Sequence, residues 1–170
     1  SSQIAAVIVE PVMGVAGSLP PLDGYLQHLR FETERHGIIL IFDEVITLRL
    51  AIGGGQALYG VSPDLTSMGK IIGGGHPIGA FGGRADLMEQ FSPLHDTYLS
   101  HSGTFNANPV STVAGLSTLH QLDIETISHI NHLGDRFSSS VGSVAKTYGV
   151  PLHTTGVGSI RTLHFSTNPP

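Results

Sequence analysis

The chain has 170 residues, enough for one domain or a piece of a larger one, and 12% of them are charged where about 25% is usual for soluble domains. With 40% hydrophobic residues it carries too much apolar surface to be a disordered tail, and eight Lys+Arg against 13 Asp+Glu with no basic run argue against nucleic-acid binding. The absence of cysteine excludes disulfides, thiolate catalysis and Cys-ligated metals. No apolar stretch reaches ~18 residues and Ser1-Ser2-Gln3 runs straight into a strand-like segment without a basic n-region, so the expectation is a soluble, cytoplasmic α/β protein without membrane partners. The low charge also suggests that much of its surface is normally covered.

Ile4–Val9 is a continuous apolar run, predicting a strand buried on both faces of a parallel sheet. Asp23 to His36 has helix-like spacing of Tyr25, Leu26, Leu29 and Phe31, stopped by Gly37. Ile38–Phe42 is a second buried strand, and it delivers Asp43-Glu44 at its carboxyl end, where ligands gather in open α/β sheets. Thr47 to Gly60, with Gly53-Gly54-Gly55 inside it, reads as a loop. Asp64–Met68 and Ile78–Gly82 are strand candidates, and Ala85–Phe91 is a short helix. Ser92–Asn108 is loop-like. Pro109–Leu122 is a small-residue helix suited to close packing on the sheet, with Ala114, Gly115 and Ser117 in it. Ile124–Tyr148 is a long helix with Ile127, Ile130, Leu133, Phe137, Val141 and Val144 on one apolar stripe. Two strands around Gly156-Val157-Gly158 follow, and residues 166–170 form a ragged end.

Several chemistries fail on pattern. The glycines 73–75 follow Lys70 rather than precede it, and Ile71 stands where a phosphate loop needs Ser or Thr. His129 and His132 share a helix face but lack a completing ligand set, so they read as surface residues. No Gly-x-Ser-x-Gly elbow supports a serine hydrolase around Ser67 or Ser102.

Asp43 and Lys70 make a stronger pair. Lys70 is one of only two lysines, and it is flanked by apolar and glycine residues. Lys146, near a helix end, suits the helix dipole. A carboxylate at one strand tip and a lone lysine after another strand can converge on one ligand. Pyridoxal phosphate needs both: an amine for its aldehyde and a carboxylate for its ring nitrogen. An apolar setting favours the reactive, neutral amine. A structural Asp43–Lys70 ion pair satisfies the same spacing.

Ile41-Phe42-Asp43-Glu44-Val45-Ile46-Thr47, Pro63-Asp64-Leu65-Thr66 and Gly69-Lys70-Ile71-Ile72-Gly73-Gly74-Gly75 resemble the signature of class III pyridoxal-phosphate aminotransferases of fold type I. Val9-Glu10-Pro11-Val12, Pro77–Gly83 and Gly103-Thr104-Phe105-Asn106 fall in that family's order, and the likeness runs from Ile4 to about Phe165. The resemblance implies a three-layer α/β/α fold with a mostly parallel sheet. It makes Lys70 the catalytic lysine that bonds the cofactor and shuttles a proton. It gives Asp43 the ring nitrogen, packs Val45 on the ring, and sends Gly103 and Thr104 to the phosphate of a neighbouring subunit in a homodimer. Glu10 resembles an acidic residue near the substrate pocket; equally, it reads as a loop cap after the strand.

The glycine-rich stretch Gly73–Gly83 is similar to the glutamate-1-semialdehyde aminomutases. Thr47-Leu48-Arg49-Leu50 departs from their Thr-Gly-Phe-Arg, and together with His101–Asn106 it resembles β-amino-acid aminotransferases. The reaction implied is transfer of an amino group from an amino acid or amine to a keto acid. The aminomutase reaction and an inactive truncated module are the alternatives. The family's N-terminal third and C-terminal small domain have no counterpart, so residues 1–165 read as the central part of the large cofactor-binding domain.

Overall fold

A computed structural model describes residues 3–168; Ser1, Ser2 and the two terminal prolines of the expected ragged end lie outside the described residues. The first strand, β1 (Ala6–Val9), pairs in parallel with β2 (Ile39–Asp43). The helix α1 (Tyr25–His36) makes the crossover and ends at Gly37, whose φ of 63° is the left-handed conformation that closes a helix. β2 pairs in parallel with β3 (Leu65–Gly69), and β3 pairs antiparallel with β4 (Gly79–Gly83), giving a mixed sheet of order β1-β2-β3-β4. This is the expected α/β sheet, mostly parallel.

Alternation along β2 places the core. Leu40 and Phe42 point to one face, where they meet Leu26 of α1 and Val61, with Val9, Leu29 and Tyr59 around them. Asp64 staples the amino end of the sheet. Its Oδ2 accepts from the Leu40 N–H at 2.7 Å and from Arg30 at 3.0 Å, while Oδ1 accepts from Arg84 at 2.9 Å. Burial pushes this carboxyl up, but the Leu40 N–H and the Arg84 and Arg30 guanidiniums outweigh it and hold it below the usual carboxylate range.

Three expectations change. First, β1 is not buried on both faces: Ile8 is 63% exposed, because no described element packs over it. Second, residues 47–60 are not an irregular loop. They hold a 3-10 turn (Thr47–Leu50) and a short helix, α2 (Gly54–Tyr59). The fully buried Glu44 carboxylate organises both, accepting from the Gly55 and Gln56 N–H groups at 2.7 Å each and from the Thr47 hydroxyl. Gly54 is required there, since a Cβ would lie 2.8 Å from that carboxylate.

Third, the long helix buries only part of its expected apolar stripe. After α3 (Ala85–Met88) and α4 (Pro109–Leu119) comes α5 (Ile124–Thr147), capped by Asp123 accepting from the Thr126 N–H. Ile127 and Ala145 are buried, but Leu133, Phe137 and Val144 are exposed. Gly134 sets the contact: a Cβ there would sit 2.1 Å from the Gly158 carbonyl, so α5 lies backbone-to-backbone on the hairpin of β5 (His153–Val157) and β6 (Ile160–His164). Of the expected stripe, Ile127 is buried, Ile130 and Val141 are half-buried, and the remaining three lie open. No described helix is long and apolar enough to cross a membrane.

Candidate active site

The carboxyl ends of β2 and β3 lie side by side, with Asp43 in register with Ser67. Lys70 is the first residue after β3 and opens a 3-10 turn (Lys70–Gly73). Its φ of 48° is a conformation non-glycine residues rarely adopt, a form of local strain that concentrates at functional sites. The turn is pinned from behind by α4. A Cβ on Gly115 would lie 2.0 Å from the Ile72 carbonyl, and one on Gly74 would lie 2.3 Å from the Ala114 carbonyl. The Ser111 hydroxyl also donates to the Pro77 carbonyl at 2.8 Å. The small residues of α4 thus serve the lysine turn rather than the sheet, which corrects the expected packing.

Lys70 lines a cavity of about 770 Å³ together with Val45, Ile46, Ile71, Pro77 and Ile160. It is exposed, and among the described residues no carboxylate lies within ion-pair distance of it. The Asp43–Lys70 ion pair that the spacing allowed is therefore absent. Asp43 is half-buried, and its Oδ1 accepts from the Val45 N–H at 3.0 Å. No described residue takes its Oδ2 as an acceptor. That bond fixes the direction in which Val45 enters the cavity.

The structure puts Lys70 and Val45 in the lining of one cavity; Asp43 is not in that lining but is tied to Val45 by its Oδ1. It leaves the other candidates apart. Gly103 and Thr104 sit in an exposed turn, away from the cavity lining. Their loop is moored by His101, which meets the Phe81 ring edge-on at 5.2 Å, while Phe81 meets Phe91 at 5.1 Å. Glu10 lines a separate cavity of about 240 Å³, and its Oε2 accepts from the Gly14 N–H at 2.9 Å. That is the loop-capping role. His129 and His132 are exposed, and the described residues contain no cluster suited to a metal.

Sequence reasoning assigned no role to Glu44, Arg49 or Arg161. Arg49 and Arg161 both line the Lys70 cavity. Glu44 had a signal, an acidic residue buried in an apolar strand end ahead of a glycine run. Arg161 had none, because nothing local places the β5–β6 hairpin beside residue 70.

An amine with no counter-ion among the described residues on an open cavity, a valine in the same wall, and a carboxylate oxygen beside that valine with no described donor suit pyridoxal phosphate. The class-III aminotransferase family model matches residues 1–169. The chain is 50% identical over 165 residues to glutamate-1-semialdehyde 2,1-aminomutase of Methanococcus maripaludis, covering 96% of this chain and 38% of that one. It superposes on a β-phenylalanine aminotransferase from Variovorax paradoxus with a TM-score of 0.90 at 39% identity, covering 99% of this chain and 39% of that one. It superposes on a transaminase with PLP bound with a TM-score of 0.91 at 35% identity, covering 98% of this chain and 39% of that one. The chain therefore spans well under half the length of the relatives it matches. It belongs to the class-III aminotransferase family.

Proposed function

We propose that the full-length protein is a pyridoxal-phosphate-dependent aminotransferase that moves an amino group from an amino acid or amine, β-amino acids included, to a keto acid. One observation carries the reading: Lys70 stands at the strand end on an open cavity with no carboxylate to neutralise it. When bound, pyridoxal phosphate supplies an aldehyde and an electron-accepting ring. Lys70 holds and moves the proton at the reacting carbon, and so the amine has to be reachable and unpaired. Asp43, through Oδ2, holds the proton on the ring nitrogen, while its Oδ1 keeps Val45 against the ring face. Gly103 and Thr104, exposed on their moored loop, reach the phosphate of a second copy in a homodimer. Glu10 borders the substrate region through the loop it caps.

Residues 1–165 are the central part of the large cofactor-binding domain of a cytoplasmic enzyme. The likeness in sequence to an aminomutase favours a second reading, in which the amino group moves within one substrate. Incubating the full-length protein with an amino donor and pyruvate separates these. An aminotransferase releases the donor's keto product and forms alanine, and K70A does neither. Conversion of glutamate 1-semialdehyde with no keto product from any donor identifies the aminomutase. A folded protein that does nothing in either assay is the inactive module and overturns both.

A further inference from the structure

The Lys70 cavity is cationic in a chain that is acidic overall. Lys and Arg total eight against 13 Asp and Glu. Even so, Arg49, Lys70 and Arg161 all line this cavity and, among the described residues, no carboxylate does. Arg161 is already satisfied. It is paired with Asp135, and its Nε and Nη1 donate to the carbonyls of Gly158 at 2.9 Å and Gly156 at 3.1 Å.

Arg49 is different. It is half-buried, yet among the described residues no carboxylate pairs with it; Arg30, Arg35, Arg84 and Arg161 each have one, and Arg136, which also has none, is exposed. It is instead held from behind by neutral groups: Nε donates to Ser159 Oγ at 3.1 Å and Nη2 to the Ser159 carbonyl at 3.5 Å. Ser159 is fixed in turn by donating its N–H to Asn131 Oδ1 at 2.9 Å, and Asn131 Nδ2 donates to the Leu50 carbonyl at 2.8 Å. The guanidinium is thus preorganised without being neutralised. Val45, Ile46 and Ile160 beside it keep the surroundings apolar, which strengthens any charge-assisted bond formed there.

We propose that Arg49 is the anchor for a substrate carboxylate in the Lys70 cavity, selecting substrates that join a carboxylate to an apolar body. This rests on the reading of Lys70 as the reactive lysine, but its test does not depend on turnover. Benzoate, with benzyl alcohol as its uncharged twin, is titrated calorimetrically into the full-length protein with and without pyridoxal phosphate. R49Q is expected to raise the benzoate Kd about tenfold to a hundredfold and to leave benzyl alcohol unchanged. R49K keeps the charge but loses the fork, so it falls between R49Q and the parent. S159A, which frees the guanidinium from its support, weakens benzoate about threefold and carries the test alongside R49K if R49Q does not fold.

Benzoate affinity unchanged in these variants overturns the proposal. So does an equal loss for benzyl alcohol, which marks a purely structural arginine. A loss of pyridoxal phosphate affinity with benzoate unaffected also overturns it, because the anion is then the cofactor phosphate. If Arg49-dependent benzoate binding persists in a protein whose Lys70 never bonds the cofactor, the anchor stands and the aminotransferase reading falls.

Discussion

Exchanging one oxygen of Glu44 for an amide tests how the loop beside the candidate active site is held. The carboxylate is fully buried and accepts two backbone N–H bonds at 2.7 Å, one on each oxygen, plus the Thr47 hydroxyl. In E44Q one of those positions becomes an NH2 that faces a backbone N–H, whichever way the amide is turned. Thr47 can reverse its hydroxyl; the N–H of Gly55 or Gln56 cannot. One buried donor is left unpaired, at about 1–3 kcal/mol. E44A removes the acceptor for both N–H groups and leaves a void, at about 3–5 kcal/mol. Urea unfolding of the full-length protein measures the totals, and hydrogen exchange at Gly55 and Gln56 reads the site itself. E44Q within about 0.5 kcal/mol of the parent, with both amides still protected, would falsify the capping role.

Other consequences are independent of that loop. Asp64 has a folded pKa below its unfolded value of about 3.9, so its stabilisation is complete above that value and fades as pH falls through the folded one. D64N should therefore lose about 2–4 kcal/mol at pH 7, and the deficit should shrink in acid; a deficit independent of pH contradicts the ion-pair account. G115A places a methyl against the Ile72 carbonyl and should lower stability by about 1–3 kcal/mol while loosening cofactor retention, read by dialysis against buffer. D43N should retain the cofactor but slow turnover at least about a hundredfold; unchanged kcat removes Asp43 from the chemistry.

The site's core was legible because it is local. Asp43 closes one short strand and Lys70 follows another, so reading the strands places both residues at the same sheet edge. The elements misread depended on distant partners. The helix at Gly54–Tyr59 looks like a glycine loop unless Glu44 is known to turn back onto its first N–H groups. The inward face of α5 is set by Gly134 touching the Gly158 carbonyl, a contact that apolar periodicity does not register. Ile8, exposed on an apolar strand, together with Leu133, Phe137 and Val144, shows where the low charge of the chain falls: on apolar side chains left open among the described residues.

The position at which pyridoxal phosphate bonds the protein is the decisive observable. The full-length protein, saturated with pyridoxal phosphate, is reduced with borohydride, digested and mapped by mass spectrometry. The pyridoxyl group should lie on the peptide containing Gly69-Lys70-Ile71, and K70A should carry none. A pyridoxyl group on any other lysine, or a trapped adduct that survives in K70A, contradicts the central claim.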